Sequence, residues 1–152
     1  MTPSFMKTVL SAAAVAATLA SPALSQERTE FRVAWSIYVG WMPWGYLEDS
    51  GIMDKWAERY GIDVEIVQIN DYIESINQYT AGAFDGVSAT NRDALSIPAG
   101  SGVDSTALIV GDYSNGNDAI ILKGEGDLGD LAGKPVHLVE LSVSHYLLAR
   151  AL

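Results

Sequence analysis

The sequence predicts an α/β fold, a parallel sheet with helices on its faces. Two observations carry that prediction: strand-like and helix-like segments alternate three times in succession, and a further strand-like run follows. Composition fits a single compact unit with a real core. The chain has 152 residues, 49% of them hydrophobic, and Gly and Pro together take only 19 positions.

Phe31-Arg32-Val33-Ala34-Trp35-Ser36-Ile37 alternates apolar with small or polar residues and reads as the first strand. It runs into Tyr38-Val39-Gly40-Trp41-Met42-Pro43-Trp44-Gly45, which two glycines and a proline mark as a loop. Ile52, Trp56 and Tyr60 then recur at helical spacing, up to a stop at Gly61. Val64 to Ile69 is the second strand. Asp71 with Glu74 forms a capping-box pattern, and Ile73, Ile76 and Tyr79 or Thr80 line the helix after it. Val87 to Thr90 is a short third strand. A short helix with Asn91 as its cap follows, and Pro98 stops it. Thr106 to Val110 is the fourth strand.

The grammar changes after Asp112. Ala119-Ile120-Ile121-Leu122-Lys123 is an apolar strand only six residues further on, too close for a crossover helix, so it must leave or cross the sheet, pair antiparallel, or enter another domain. Gly124 to Gly133 is turn-rich, Val136 to Val139 reads as another strand, and Ser144 to Leu152 opens a helix. That helix ends apolar, without a cap or polar tail, and reads as a piece of a longer protein.

The first 25 residues read as an export signal. Lys7 supplies the positive start, Val9 to Ala20 the apolar run, and Ala23-Leu24-Ser25 the small-residue step before cleavage at Gln26. The run is shorter than the roughly 20 residues a spanning helix needs. Cleavage leaves 127 residues with 8 basic and 19 acidic side chains, an acidic product suited to a bacterial periplasm. The whole chain's net charge of −10 argues against sequence-independent binding to nucleic acid or to an anionic membrane. The absence of cysteine removes disulfide scaffolds, thiolate metal sites, thiol nucleophiles and lipid-anchored cysteines.

In parallel α/β sheets, ligands gather outside the carboxyl ends of the strands. Four segments reach that edge. Tyr38 to Trp44 carries Tyr38, Trp41 and Trp44, and serves equally well as a core plug or subunit interface, or as a flat-sided binding surface. Thr90-Asn91-Arg92-Asp93 surrounds a helix start, where Asn91 caps and Thr90 and Asp93 offer oxygens. Asp112 to Asp118 has the composition of a polar turn. Glu140 to His145 brings Ser142, Ser144 and His145 to a second helix start, suited to capping or to holding a polar oxygen.

Catalytic patterns are thin. His137 and His145 lack the spacing of a zinc helix, no G-x-S-x-G elbow or G-x-G-x-x-G turn occurs, and no calcium loop is present. A triad of Ser142 or Ser144 with His145 and Asp112 would need neighbours on one helix start to form a nucleophile–base–orienter line.

Longer motifs carry a resemblance. Trp41 to Tyr46, Gly51-Ile52 with Lys55-Trp56, Gln68 to Tyr72, Tyr79 to Gly86, Thr90 to Leu95, Gly111 to Asp118 and Val139 to Leu148 match one family. On these stretches the chain resembles the periplasmic substrate-binding proteins of ABC importers of the nitrate/sulfonate/taurine type, in the branch found beside urea carboxylase genes. Asp130 to Lys134 adds the family's Asp-Leu-x-Gly-Lys pattern.

The resemblance implies a periplasmic binding protein-like fold of type II, two lobes closing over a solute, present here as an N-terminal part. Residues 26–118 would form lobe one, 119–123 the crossover, and 124–152 the start of lobe two. It implies a non-catalytic solute-capture protein without cofactor or metal, a monomer that meets the importer's permease subunits and no nucleic acid. Its ligand-facing positions map onto Tyr38, Trp41, Trp44, Thr90, Asn91, Asp93, Asp112, Ser142, Ser144 and His145. The expected solute is small and nitrogen-containing, such as urea, a guanidine or an amide. A sulfonate- or nitrate-type anion, an enzyme on the same two-lobed fold such as a pyrimidine synthase-like protein, and a sensing domain of a receptor are the competing readings.

Overall fold

A computed structural model describes residues 27–116 and 118–152. The export signal and its cleavage step at Gln26 lie outside the described residues. Among those described, no helix is long and apolar enough to cross a membrane.

Three parallel strands form the sheet in the order β2-β1-β3: β1 at Glu30–Trp35, β2 at Asp63–Gln68 and β3 at Gly86–Val87. The β1–β2 register runs from Glu30 opposite Asp63 to Trp35 opposite Gln68, and Val33 and Ala34 of β1 face Gly86 and Val87 of β3. Helices α1 (Pro43–Asp49) and α2 (Ile52–Tyr60) connect β1 to β2. Helix α3 (Tyr72–Thr80) connects β2 to β3, and α4 (Asn91–Ser96) follows β3. Helix α5 (Val143–Ala151) lies near the end of the chain. The α/β class and the parallel sheet agree with the sequence reading.

Helices cover both faces of β1. A Cβ built on Gly45 of α1 would stand 2.8 Å from Cζ2 of Trp35, so only glycine admits this helix so close to the ring. On the opposite face, Ser36 Oγ donates to Ser75 Oγ of α3 (3.4 Å), and Ser75 Oγ donates to the Tyr72 carbonyl (2.7 Å). Alternation of side chains along a strand puts Trp35 and Ser36 on opposite sides. The core between these layers is Ala34, Trp35, Ala57, Ile66, Tyr72, Ile76 and Phe84. Trp35 Nε1 is buried without an acceptor among the described residues.

Several elements depart from the sequence reading. The Tyr38 to Gly45 stretch is not a plain loop: a 3-10 turn at Val39–Trp41 leads into α1, with Pro43 opening that helix. Proline fits there because the first helical N–H needs no intrahelical partner. Helix α2 turns Trp56 and Tyr60 outward, 43% and 69% exposed, and buries Ala57 instead. The aromatic pair stacks on itself (centroids 6.3 Å apart), with Arg59 5.1 Å from the centre of the Trp56 ring. Helix α3 buries Tyr72, Ser75 and Ile76. Asp71 caps it through the Glu74 N–H (3.0 Å), but the Glu74 carboxylate accepts from Gln78 rather than closing a capping box. The cap of α4 is Thr90 and not Asn91.

Three expected strands do not form: Thr106 to Val110, Ala119 to Lys123 and Val136 to Val139 carry no strand pairing. Leu108, Ile109, Val110 and Ile121 stand exposed. The local apolar pattern is strand-like, but a strand exists only when a neighbouring ladder accepts its backbone groups. β3 offers two paired residues, too few to template another strand.

Candidate functional site

The carboxyl ends of all three strands meet at one edge. Tyr38 and Trp41 follow β1, Tyr72 follows β2, and Thr90 to Asp93 follow β3. Here the rings of Tyr38, Trp41 and Tyr72 close on one another: Tyr38–Trp41 at 5.0 Å, and Tyr72 at 5.5 Å from each. The two Tyr38 contacts are edge-on and set the positive rim of one ring against the negative face of the next, while Trp41 and Tyr72 meet tilted at 41°. Tyr72 is buried, whereas Tyr38 is 43% exposed, so the trio offers an aromatic ledge with one open side.

Beneath the ledge lies Asp93, fully buried. Tyr72 Oη donates to its Oδ2 (2.7 Å) and Arg92 donates to its Oδ1 (2.8 Å). Tyr72 Oη also accepts the Thr90 N–H (3.1 Å), and Thr90 Oγ1 accepts the Asp93 N–H (3.2 Å) as the cap of α4. A buried charge is tolerated only when paired and hydrogen-bonded, and both carboxylate oxygens here are engaged. Burial, and then the bond and charge of Asp93, raise the Tyr72 hydroxyl well above its ordinary value, outweighing the Thr90 bonds that pull the other way. Burial, followed by the Asp93 and Asp71 carboxylates, also raises Tyr38. Both phenols therefore stay neutral donors at physiological pH.

Arg92 joins this centre to the second expected group. Its guanidinium donates to the Leu141 carbonyl (2.6 Å) and lies 5.4 Å from the centre of the Tyr146 ring. Leu141 has φ +63°, the left-handed region that costs a leucine roughly 1 kcal/mol or more. Partners on both sides hold it there: Arg92 takes its carbonyl, and His145 Nδ1 accepts its N–H (3.1 Å). Ser142 caps α5, with Oγ donating to the Val139 carbonyl (2.6 Å) and accepting the Ser144 N–H (3.2 Å). The serine proton and the imidazole nitrogen are thus spent on the backbone, not on each other.

The structure therefore gathers Tyr38, Trp41, Thr90 and Asp93 at one centre, with Ser142, Ser144 and His145 at the far end of Arg92. Trp44 sits half-buried in the first turn of α1 and makes no ring contact with the trio. Asn91 is exposed, and its Oδ1 accepts the adjacent Arg92 N–H (2.8 Å). Asp112 comes against Gly40, where a Cβ would collide with its Oδ2. Tyr72 is the residue sequence reasoning missed. The strand-end rule, applied to the loop after β2 as to the others, would have found it, because it stands one position past the Asp71 cap.

A cleft of about 390 Å³ opens between α1, α2 and the start of β2, lined by Glu48, Met53, Asp54, Asp63, Val64, Glu65 and Ile66. It lies at the amino end of β2, away from the strand-end edge. Among the described residues no three His, Asp or Glu side chains converge as a metal site.

No family model matches the chain, and neither a curated protein nor a solved structure matches it.

Proposed function

We propose that the chain is a solute-capture protein of an ABC importer, exported to the periplasm, in which this α/β unit is lobe one of a two-lobed type II fold. The reading assigns it a small nitrogen-containing solute and the importer's permease subunits as partners. The observation that carries it is the convergence of three strand ends on one ledge of Tyr38, Trp41 and Tyr72, stiffened from below by Asp93, Thr90 and Arg92. Flat aromatic faces beside hydroxyl groups suit recognition of a small planar solute, and the position obeys the strand-end rule for ligand sites. Arg92 reaches from this ledge to the Leu141–Tyr146 segment, which the reading assigns to the start of lobe two.

Titration calorimetry of the exported gene product with urea, guanidinium, taurine and nitrate tests the proposal. Saturable heat from a nitrogen compound, abolished by Trp41→Ala, is the expected result. Heat from taurine or nitrate alone would move the solute to the anions. Turnover of a bound compound would replace capture with catalysis.

A further inference from the structure

Four asparagines fall among the described residues, and three of them sit where the following backbone nitrogen is held away from the side-chain carbon. Asn77 lies inside α3, whose helical dihedrals keep the next amide out of reach. Asn91 opens α4, and its Oδ1 accepts the Arg92 N–H (2.8 Å), so that nitrogen meets the amide oxygen rather than its carbon. Asn70 accepts from Gln68 Nε2 on its Oδ1 (2.8 Å) and directly precedes Asp71, the cap of α3. Asn115 differs in its surroundings. It is exposed, it belongs to a run from Gly111 to Gly116 without helix or strand, and the next residue is a glycine. A Cβ built on Gly116 would meet nothing within 4 Å, and its φ of +74° is one that glycine adopts without strain.

We infer that Asn115 is a site of spontaneous modification, closing on the Gly116 nitrogen to a succinimide that opens to aspartate and isoaspartate. The Gly116 nitrogen gives up its proton to base and bonds to Cγ of Asn115. The Cγ–Nδ2 bond then breaks, and the side-chain nitrogen leaves as ammonia. One water adds to the ring: at Cγ it yields aspartate, and at the main-chain carbonyl it yields isoaspartate, whose chain runs on through Cγ. The net change turns an amide and water into a carboxylate and ammonium, with no oxidation or reduction. Access decides the site. Glycine presents its nitrogen without a Cβ to crowd the approach, and a surface loop turns through the closing geometry where a helix does not. The product adds a carboxylate between Asp112 and Asp118, whatever the ledge binds.

Incubation of the gene product in mildly alkaline buffer at body temperature, followed by tryptic digestion and electron-transfer fragmentation, tests this. The peptide from Asp93 to Lys123 should gain the mass of a hydroxyl in place of an amino group and separate into aspartate and isoaspartate forms, both changed at Asn115. Asn70, Asn77 and Asn91 should remain amides over the same time. Mildly acidic buffer should slow the conversion severalfold, because the attacking nitrogen must lose its proton. Gly116→Ala should also slow it severalfold, by adding the missing Cβ. Asn115→Gln, which would have to close a larger ring, should remove the new species, and an unchanged thermal melt checks that this exposed substitution leaves the fold intact. Conversion first at Asn70, Asn77, Asn91 or Asn117, or a mass gain that survives Asn115→Gln, would overturn the inference. So would an unchanged Asn115 after a time in which a free peptide of residues 111–118 converts.

Discussion

Tyr72→Phe removes one oxygen from the centre of the site and leaves the ring in place. That oxygen donates to Asp93 Oδ2 at 2.7 Å and accepts the Thr90 N–H at 3.1 Å. Asp93 is fully buried, so its carboxylate has no water to take up the lost bond. A hydrogen bond to a charged group contributes about 1.5–3 kcal/mol, and a neutral one about 1 kcal/mol. The Thr90 N–H is only partly buried and can turn to solvent, so the expected loss is about 2–3 kcal/mol. Urea denaturation reads this as a fall in midpoint of about 1–2 M at an unchanged slope. Tyr60→Phe, at a 69% exposed position, should stay within about 0.5 kcal/mol of the parent. The same substitution alters the alkaline limb. Tyr72 holds its proton more tightly folded than unfolded, so its stabilisation is complete below the ordinary value of 10.0. Above that pH the unfolded chain loses the proton first, and stability falls as pH rises toward the folded value. Tyr72→Phe should flatten that fall, and Tyr38, also raised, should keep a smaller one. A loss below about 0.5 kcal/mol with an unaltered alkaline slope would show that the Tyr72–Asp93 bond does not organise the edge.

Three further outcomes follow from other contacts. Gly45→Ala would add about 0.5–1 kcal/mol of helix stability at an open site, but the 2.8 Å approach to Trp35 should reverse the sign to a net loss of about 1–3 kcal/mol, read by thermal melting. Ile76→Ala should cost about 2–5 kcal/mol, whereas Trp56→Ala, on the face that α2 turns outward, should cost about 1.5 kcal/mol or less in the same denaturant series. Arg92→Ala leaves Asp93 buried with one partner fewer and releases the Leu141 carbonyl. It should cost about 2–4 kcal/mol and speed amide exchange at Leu141 to Tyr146, and unchanged exchange there would refute the bridging role.

The sequence alone determined the three paired strands and the helices that precede β2 and follow β2 and β3, but not the 3-10 turn and helix α1 after β1. Strand alternation at Phe31 to Trp35 and the Asp71 cap are local signals, written within a few residues of the structure they specify, whereas the cap expected at Asn91 falls one residue earlier, on Thr90. The strand-end rule also pointed to Tyr38, Trp41, Thr90 and Asp93, because topology fixes that edge once the sheet is parallel. Tertiary structure decided which of these groups meet. Asp93 sits beneath Tyr72 rather than open to solvent because Tyr72, 21 residues earlier in the chain, brings its hydroxyl across. Trp56 and Tyr60 look like a core stripe at helical spacing, but the sheet accepts Ala57, and spacing cannot say which face a neighbour will cover. Leu108 to Val110 has strand composition and no strand, because a strand's hydrogen bonds belong to its partner. Gly40 and Asp112 lie 72 positions apart, and only folding makes one glycine the seat of a distant carboxylate.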